Sequence, residues 1–268
     1  MISFRELSAS FKPLNLERSI PVIVHSSLSA FGEIRGGADT LLGALLSNFD
    51  SIIVPTFTYK TMLIPEEGPE NNGILYGSGQ DLNRMAEFFT AKMPADPLMG
   101  VLANTLLHHP RSVRSCHPIL SFAGIGADEI LQSQTIADPL APIKKLAEQQ
   151  GWVLLLGVNH TVNTSIHLGE AMAGRKQFTR WALTQKGVLE CPHFPGCSEG
   201  FEQIAPSLED FTCSIKIGEA DVQAIPIKVL IAKVMQIINE DPLALLCNHP
   251  ECERCTAIRD EIRKAELI

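Results

Sequence analysis

The stretch Gly151–Glu170, G-W-V-L-L-L-G-V-N-H-T-V-N-T-S-I-H-L-G-E, constrains the fold more than any other. Its apolar run, Trp152 to Leu156, has the length and residue types of a strand buried on both faces, as in sheets covered by helices. Gly157 ends the run and a polar loop follows (Asn159, His160, Thr161, Asn163), after which Thr164 can cap a new helix. On that helix His167 and Glu170 stand at i and i+3, so an imidazole and a carboxylate share one face. Open α/β sheets hold their ligands where a buried strand hands over to a polar loop and a helix start. Chemistry is expected here.

Other segments fit the same class. Phe4, Leu7 and Phe11 repeat at helical spacing. Pro21 to His25 reads as a β-branched strand, Asp39 or Thr40 opens a helix through Leu46, and Ser51 to Pro55 is a second buried strand. Together they form a βαβ-like unit and predict parallel pairing. Glu66 to Gln80 is a loop rich in Pro, Gly and Asn. A helix is expected over Ala95–Leu107 with Pro97 at its start, and another over Asp138–Gln150. Arg111 to Gly126 combines basic residues, a Cys-His-Pro turn and a short strand. Arg175, Lys176 and Arg180 form a basic patch, and a strand is expected around 178–185. Cys191 to Cys197 reads as a turn-rich loop, Phe201 to Phe211 as helical and Cys213 to Ile217 as a strand. The spacing then predicts a helix over Ala224–Ile238 beginning at Pro226, a further one from Asp241-Pro242, and a charged final helix. One domain over residues 1–268 is expected, with a loop-rich elaboration around 60–95.

The formal net charge of −8 gives no electrostatic footprint for nucleic acid. It steers cationic substrates and also keeps a protein in solution. Met1 to Arg18 alternates charged and apolar residues, so no signal peptide is expected. The apolar stretches fall short of the roughly 18–20 residues that span a bilayer. Seven cysteines in 268 residues read as reduced thiols of a cytoplasmic protein.

Three motifs in order resemble the antibiotic N-acetyltransferase family, typified by aminoglycoside 3-N-acetyltransferases. They are V-H-S-S-L-S-A-F-G-E-I-R-G-G-A-D-T-L-L-G-A-L with V-P-T-F-T (24–45 and 54–58), R-S-V-R-S-C-H-P-I-L-S-F-A-G-I-G (111–126), and L-L-L-G-V-N-H-T-V-N-T-S-I-H-L-G-E (154–170). The resemblance spans nearly the whole chain. It implies an α/β fold with a central mixed sheet flanked by helices, and acetyl transfer from acetyl-CoA to an amino group of a small cationic amine. Aminoglycosides are the implied substrates and their 3-amino group the implied position; an unrelated amine metabolite is the same-fold alternative. The family's histidine base maps onto His167, supported by Glu170. Its acetyl-CoA surface maps onto His25, Ser26, Ser27, Leu28, Arg35, Gly36 and Gly37, with Arg111, Ser112, Ser115 and His117 as further candidates. Many members carry an acidic residue where this chain has Asn104. A homodimer stays open.

The residue types suit that chemistry. A protonated amine cannot attack a thioester, so a base must take its proton as the bond forms, typically accelerating the step about 10²–10⁴-fold. A carboxylate beside an imidazole fixes its tautomer and stabilises the imidazolium. Alternatively, Glu170 receives the substrate's cationic amine. Backbone amides of the Ser26–Leu28 loop are candidate oxyanion donors. Cys116-His117 invites an acyl-thioenzyme, although neighbours on a strand point to opposite faces. No metal is assigned to the reaction. Cys247, His249, Cys252 and Cys255 nevertheless have zinc-like spacing, with Cys191, His193 and Cys197 as additional donors, so a zinc-stabilised module is the alternative of a different class.

Overall fold

The computed structural model describes residues 1–266. Helix α1 (Phe4–Ser10) is closed at its start by a reciprocal Ser3–Glu6 capping box and buries Leu7. Strand β1 (Val22–Ser26), helix α2 (Gly37–Asn48) and strand β2 (Ile52–Pro55) then form the expected unit, with β1 and β2 parallel. The short β3 (Met62–Leu63) and α3 (Gln80–Arg84) lie in the loop-rich segment. Next come α4 (Gly100–His108), β4 (Val113–Arg114), β5 (Phe122–Ile125), α5 (Asp128–Gln132) and α6 (Ala141–Glu148). Strand β6 (Trp152–Leu156) leads through the polar loop into α7 (Ser165–Met172). The chain continues through β7 (Phe178–Thr184), β8 (Gly187–Phe194), α8 (Ala205–Leu208), β9 (Cys213–Ile217), β10 (Ala220–Pro226), α9 (Ile227–Glu240) and α10 (Glu253–Glu266).

Among the described residues, one sheet has seven strands in the order β4-β5-β2-β1-β6-β10-β9, and a smaller sheet has the order β3-β7-β8. The three central strands β2, β1 and β6 are parallel and the outer ones antiparallel, so the sheet is mixed. Alternation along the strands splits the core into two halves. Ile23, Val153 and Leu155 face the side covered by α6, α7 and α9, whereas Val22, Val24, Leu154 and Leu156 face α1, α2 and α4. Each such side chain, fully buried, contributes about 1.5–3 kcal/mol. That two-sided cover is why β6 reads as one unbroken apolar run. No helix of the described residues is long and apolar enough to cross a membrane.

Four expectations need correction. The helix placed over Ala95–Leu107 begins only at Gly100, whose φ of +80° separates it from a 3₁₀ turn at Pro97–Met99. Residues 191–194 are strand, the end of β8, and not loop. Pro192 is tolerated there because β8 is an edge strand, where a missing N–H disrupts no ladder. Ala220–Pro226 is strand β10, pairing antiparallel with both β6 and β9, so helix α9 starts at Ile227 rather than near Ala224. The segment after Asp241 is a turn, not a helix, with Leu245 at φ +63°.

Candidate active site

Strand β1 connects through α2 to β2 on one side, while its neighbour on the other side is β6. The chain therefore leaves β1 and β6 in different directions, and the crevice beyond their carboxyl ends is a topological switch point. A cavity of about 1440 Å³ opens there. Its floor is Ser26–Ser29 after β1 and Val158–Thr164 after β6, and its outer wall comes from the segment around Lys60–Met85, Phe194–Glu199 and Arg254. The two loops are tied together by Ser27, whose N–H donates to Leu156 O at 3.0 Å. Gly157 (φ +65°) permits this approach, since a Cβ there would stand 2.3 Å from the Ala30 Cβ.

His167 lines the cavity from the first turn of α7. The cap of this helix is Asn163, whose Oδ1 accepts from Ser165 N–H at 3.2 Å; Thr164 makes no side-chain cap. Nδ1 of His167 lies 2.7 Å from Glu170 Oε2. Glu170 Oε1 accepts from Arg175 Nη1 at 2.8 Å, and Arg175 Nη2 donates to the carbonyls of Pro242 and Ala244, both at 2.8 Å. Glu170 and Arg175 are 1% and 7% exposed, so this relay is fixed and dry. A charged carboxylate makes the Nδ1–H tautomer the stable one, leaving Nε2 as the free acceptor. The Phe201 ring, 4.7 Å away and edge-on, holds the imidazole plane. Both oxygens of Glu170 are engaged and buried, so the alternative that it receives a substrate amine does not stand.

His25, Ser26, Ser27, Leu28 and Gly37 line the cavity; Arg35 and Gly36 sit exposed beside it at the start of α2. Burial, together with the nearby His160, pushes His25 down to about 3, so it is neutral, and its Nε2 has no partner among the described residues. The N–H of Ser27 is already used, whereas those of Leu28 and Ser29, at the start of a 3₁₀ turn, have no acceptor among the described residues. Gly36 and Gly37 adopt φ of +83° and +59°, and a Cβ on Gly36 would meet Thr40 Oγ1 at 2.5 Å. Of the second motif only Leu120 lines the cavity, and its polar candidates do not. Arg111 is exposed, Ser115 Oγ closes a turn with Phe122 N–H at 2.8 Å, and His117 is buried with Nδ1 accepting from Ile119 and Leu120 N–H at 3.2 and 3.0 Å. Cys116 is exposed while His117 points inward, which leaves no dyad.

Several residues escape sequence reasoning. Arg175 and Arg180 read only as part of a basic patch; both are buried, and Arg180 lies against the Phe178 and Phe194 rings at 5.3 and 5.2 Å. Asn104 does not reach the cavity; it pins the preceding loop by accepting from Ala95 N–H at 2.9 Å. For metal, the structure gathers Cys197, Cys247, Cys252 and Cys255 and omits His249, which instead pairs with Glu199 at 3.0 Å.

A profile of the family described as aminoglycoside 3-N-acetyltransferase matches residues 23–239. Aminoglycoside N(3)-acetyltransferase IV of Salmonella sp is 30% identical over 181 residues, 61% of this chain and 66% of that protein. The SPbeta prophage-derived aminoglycoside N(3')-acetyltransferase-like protein YokD of Bacillus subtilis (strain 168) is 28% identical over 176 residues, 62% of this chain and 64% of its own length. The matched region thus spans just under two thirds of these two relatives. The solved aminoglycoside acetyltransferase AAC(3)-IVa apoenzyme superposes with a TM-score of 0.76 at 25% identity, covering 96% of this chain and 97% of that one. A histidine-to-alanine mutant of that enzyme, in complex with a gentamicin, gives 0.72 at 25% identity with 96% of both chains covered. On the profile match alone, which covers most of its length, this chain belongs to the aminoglycoside 3-N-acetyltransferase family.

Proposed function

We propose that the protein transfers the acetyl group of acetyl-CoA to the 3-amino group of an aminoglycoside, in a ternary complex and without an acyl-enzyme. The observation that carries this reading is the Arg175–Glu170–His167 relay at the edge of the switch-point cavity. His167 Nε2 takes a proton from the amine while the amine nitrogen attacks the thioester carbonyl. The charge that then appears on the imidazolium is met by Glu170, and Arg175 keeps that carboxylate oriented. The oxyanion on the former carbonyl falls to the free N–H groups of Leu28 and Ser29, a kind of donor worth roughly 3–4 kcal/mol. Collapse of the intermediate breaks the carbon–sulfur bond, and the His167 imidazolium returns its proton to the departing sulfur, releasing the CoA thiol.

The residues present fit acetyl-CoA. Apolar side chains such as Leu28, Met99, Val101 and Val158 line the cavity and suit the pantetheine arm. The glycine turn before α2 leaves room for phosphate at a helix N-terminus, with Arg35 exposed beside it. Of the second motif, Leu120 lines the cavity, whereas Arg111, Ser112, Ser115 and His117 support the fold of this region. The acceptor lies against the 60–95 elaboration of what we read as a single domain, where Lys60, Met62, Ile64 and Met85 line the cavity. Asp96 and Glu199 offer carboxylates to a polyamine. A family relative solved with a gentamicin supports the substrate class. A cytoplasmic setting is supported by seven cysteines that are all free.

The test is CoA-thiol release from acetyl-CoA across a panel of aminoglycosides, repeated with His167→Ala. Thiol release with at least one aminoglycoside is expected, falling about 10²–10⁴-fold in the variant. Absence of release with every amine, or full rate without His167, refutes the reading.

A further inference from the structure

Outside the relay, two remote parts of the chain bring four thiols together. Cys197 comes from the loop after β8, Cys247 from the turn after α9, Cys252 from the residue just before α10 and Cys255 from its first turn. Their Sγ atoms all lie within 4.8 Å of one another, with Cys247 and Cys255 at 3.5 Å. A zinc ion with four Zn–S bonds of about 2.3 Å requires sulfurs about 3.8 Å apart along each edge of the tetrahedron. The cluster already has that size. We propose that Cys197, Cys247, Cys252 and Cys255 bind a structural zinc ion that fastens the C-terminal helix to the wall of the cavity.

The surroundings match a tetrathiolate site. The N–H of Glu199 is directed at the sulfur of Cys197 and that of His249 at the sulfur of Cys247, so each lies in a tight turn whose amide two residues on faces the ligand. Such donors stabilise thiolate and orient it for metal. Cys252 directly precedes α10, where the helix N-terminus favours negative charge. Four thiolates around a divalent cation leave two negative charges, and two arginines lie close. Arg254 donates to Gly196 O at 2.8 Å and Arg259 donates to Cys247 O. All four sulfurs can ligate without moving far, and each thiol loses its proton as its Zn–S bond forms. The other candidates are excluded by position. His249 is exposed and paired with Glu199, and Cys191 lies in β8, where burial pushes its thiol up to about 12.

A consequence for binding follows from where the ligands sit. Gly196, Cys197, Ser198, Glu199 and Arg254 all line the cavity. The segment from Asp241 to Glu251 has no helix or strand to hold it. The metal would therefore position the acceptor side of the cavity while leaving His167 and its relay unliganded.

Metal analysis of the purified full-length protein, expressed in zinc-containing medium and desalted, tests this directly. A single zinc per chain is expected, and protein prepared with cobalt in place of zinc should show the visible absorption of a tetrahedral thiolate site. Native alkylation should label Cys116 and spare the four ligands until a strong chelator is added. Cys197→Ser and Cys252→Ser should lose the metal and melt at lower temperature, whereas His249→Ala and Cys116→Ser should retain it. Should either cysteine variant fail to fold, the metal content and cobalt spectrum of the unaltered protein still decide the question. Metal-free protein, four freely alkylated thiols, disulfide-linked peptides from this cluster, or zinc lost on removing His249 would each overturn the proposal. None of these measurements depends on acetyl transfer, so their failure is separable from failure of the catalytic reading.

Discussion

Replacing Glu170 by Gln separates the relay's electronic role from its shape. The amide has the same outline as the carboxylate, but its two ends are no longer equivalent. Arg175 Nη1, 2.8 Å from Oε1, is an obligatory donor, so the amide oxygen must face the arginine. The NH₂ group then faces His167 Nδ1, which it meets at 2.7 Å in place of Oε2. Two donors cannot share that contact. The imidazole must give up its Nδ1 proton and carry it on Nε2, the atom that has to accept the proton of the amine. A catalytic histidine locked in the wrong tautomer by an acid-to-amide change costs about 10⁴ in kcat in the serine-protease triad. Here a loss of about 10³–10⁴ is expected, with fold and substrate KM nearly unchanged. CoA-thiol release under saturating acetyl-CoA measures it, and nitrogen NMR of labelled histidine reports the tautomer. A Glu170→Gln variant that keeps more than about a tenth of the normal kcat, or that keeps its Nδ1 proton, refutes the assignment of Nε2 as the base.

Arg175→Met leaves the buried Glu170 carboxylate without its cation, and breaking such a pair costs about 3–5 kcal/mol; urea midpoints should fall accordingly, and an unchanged midpoint contradicts the buried-pair reading. Acid should destabilise the protein through its buried neutral histidines. His25 and His117 are pushed down by burial to about 3 and about 4, below the ordinary value of 6.5. Between these values and 6.5 the unfolded chain binds more protons, so stability is complete above pH 6.5 and is lost as pH falls, by about 2 kcal/mol for each at pH 5. His117→Asn keeps an acceptor for the Ile119 and Leu120 amides and should remove about half of that pH 5 loss; an unaltered pH dependence of the urea midpoint counts against the assignment. Gly157→Ala places a Cβ against Ala30 at 2.3 Å and on a backbone with φ of +65°, so it should lower stability by at least about 1–3 kcal/mol and cut kcat by shifting the two loops. Normal stability and activity would mean that the loops can separate without consequence.

Legibility in the sequence followed burial pattern. Strands β1, β2 and β6 are covered on both faces, so their apolar runs announce them without help from neighbours. The His167–Glu170 spacing was equally readable because both ends lie on one short helix. Strand β10 was missed because Ala220–Pro226 mixes exposed and buried positions and runs directly into α9, whose stronger helical period absorbs its last residues. The family resemblance supplied roles by position, and it placed the cosubstrate along the second motif as well. In the structure His117 Nδ1 and Ser115 Oγ serve a turn, accepting from the Ile119, Leu120 and Phe122 amides, while His117 Nε2 has no partner among the described residues. Arg175 could not be read at all. Its partner is five residues away, yet its meaning depends on the carbonyls of Pro242 and Ala244, which only the tertiary fold delivers.

Those two carbonyls also connect the relay with the thiol cluster. The irregular turn after α9 is held at Pro242 and Ala244 by Arg175, and three residues later Cys247 enters the group of four sulfurs. Between them Leu245 and Leu246 are buried, and Gly200 sits so close that a Cβ there would stand 2.4 Å from Leu245 O. Gly200 precedes Phe201, the ring that stands edge-on to His167. One short turn therefore fixes the base from two directions, through Arg175 and Glu170 on one side and through Phe201 on the other. With no helix or strand of its own, that turn has little intrinsic stiffness, since irregular backbone with few ladder hydrogen bonds opens at low cost. Its rigidity comes from what holds it: a buried guanidinium at one end, Gln203 Nε2 donating to Leu246 O at 3.3 Å in the middle, and the four-cysteine cluster at the other end. Loosening either end should release the same element, and so Arg175→Met and loss of the cysteine cluster should both broaden the orientation of His167, although Arg175 and Cys247 do not touch the reacting atoms. That shared outcome distinguishes a common clamp from two unrelated supports.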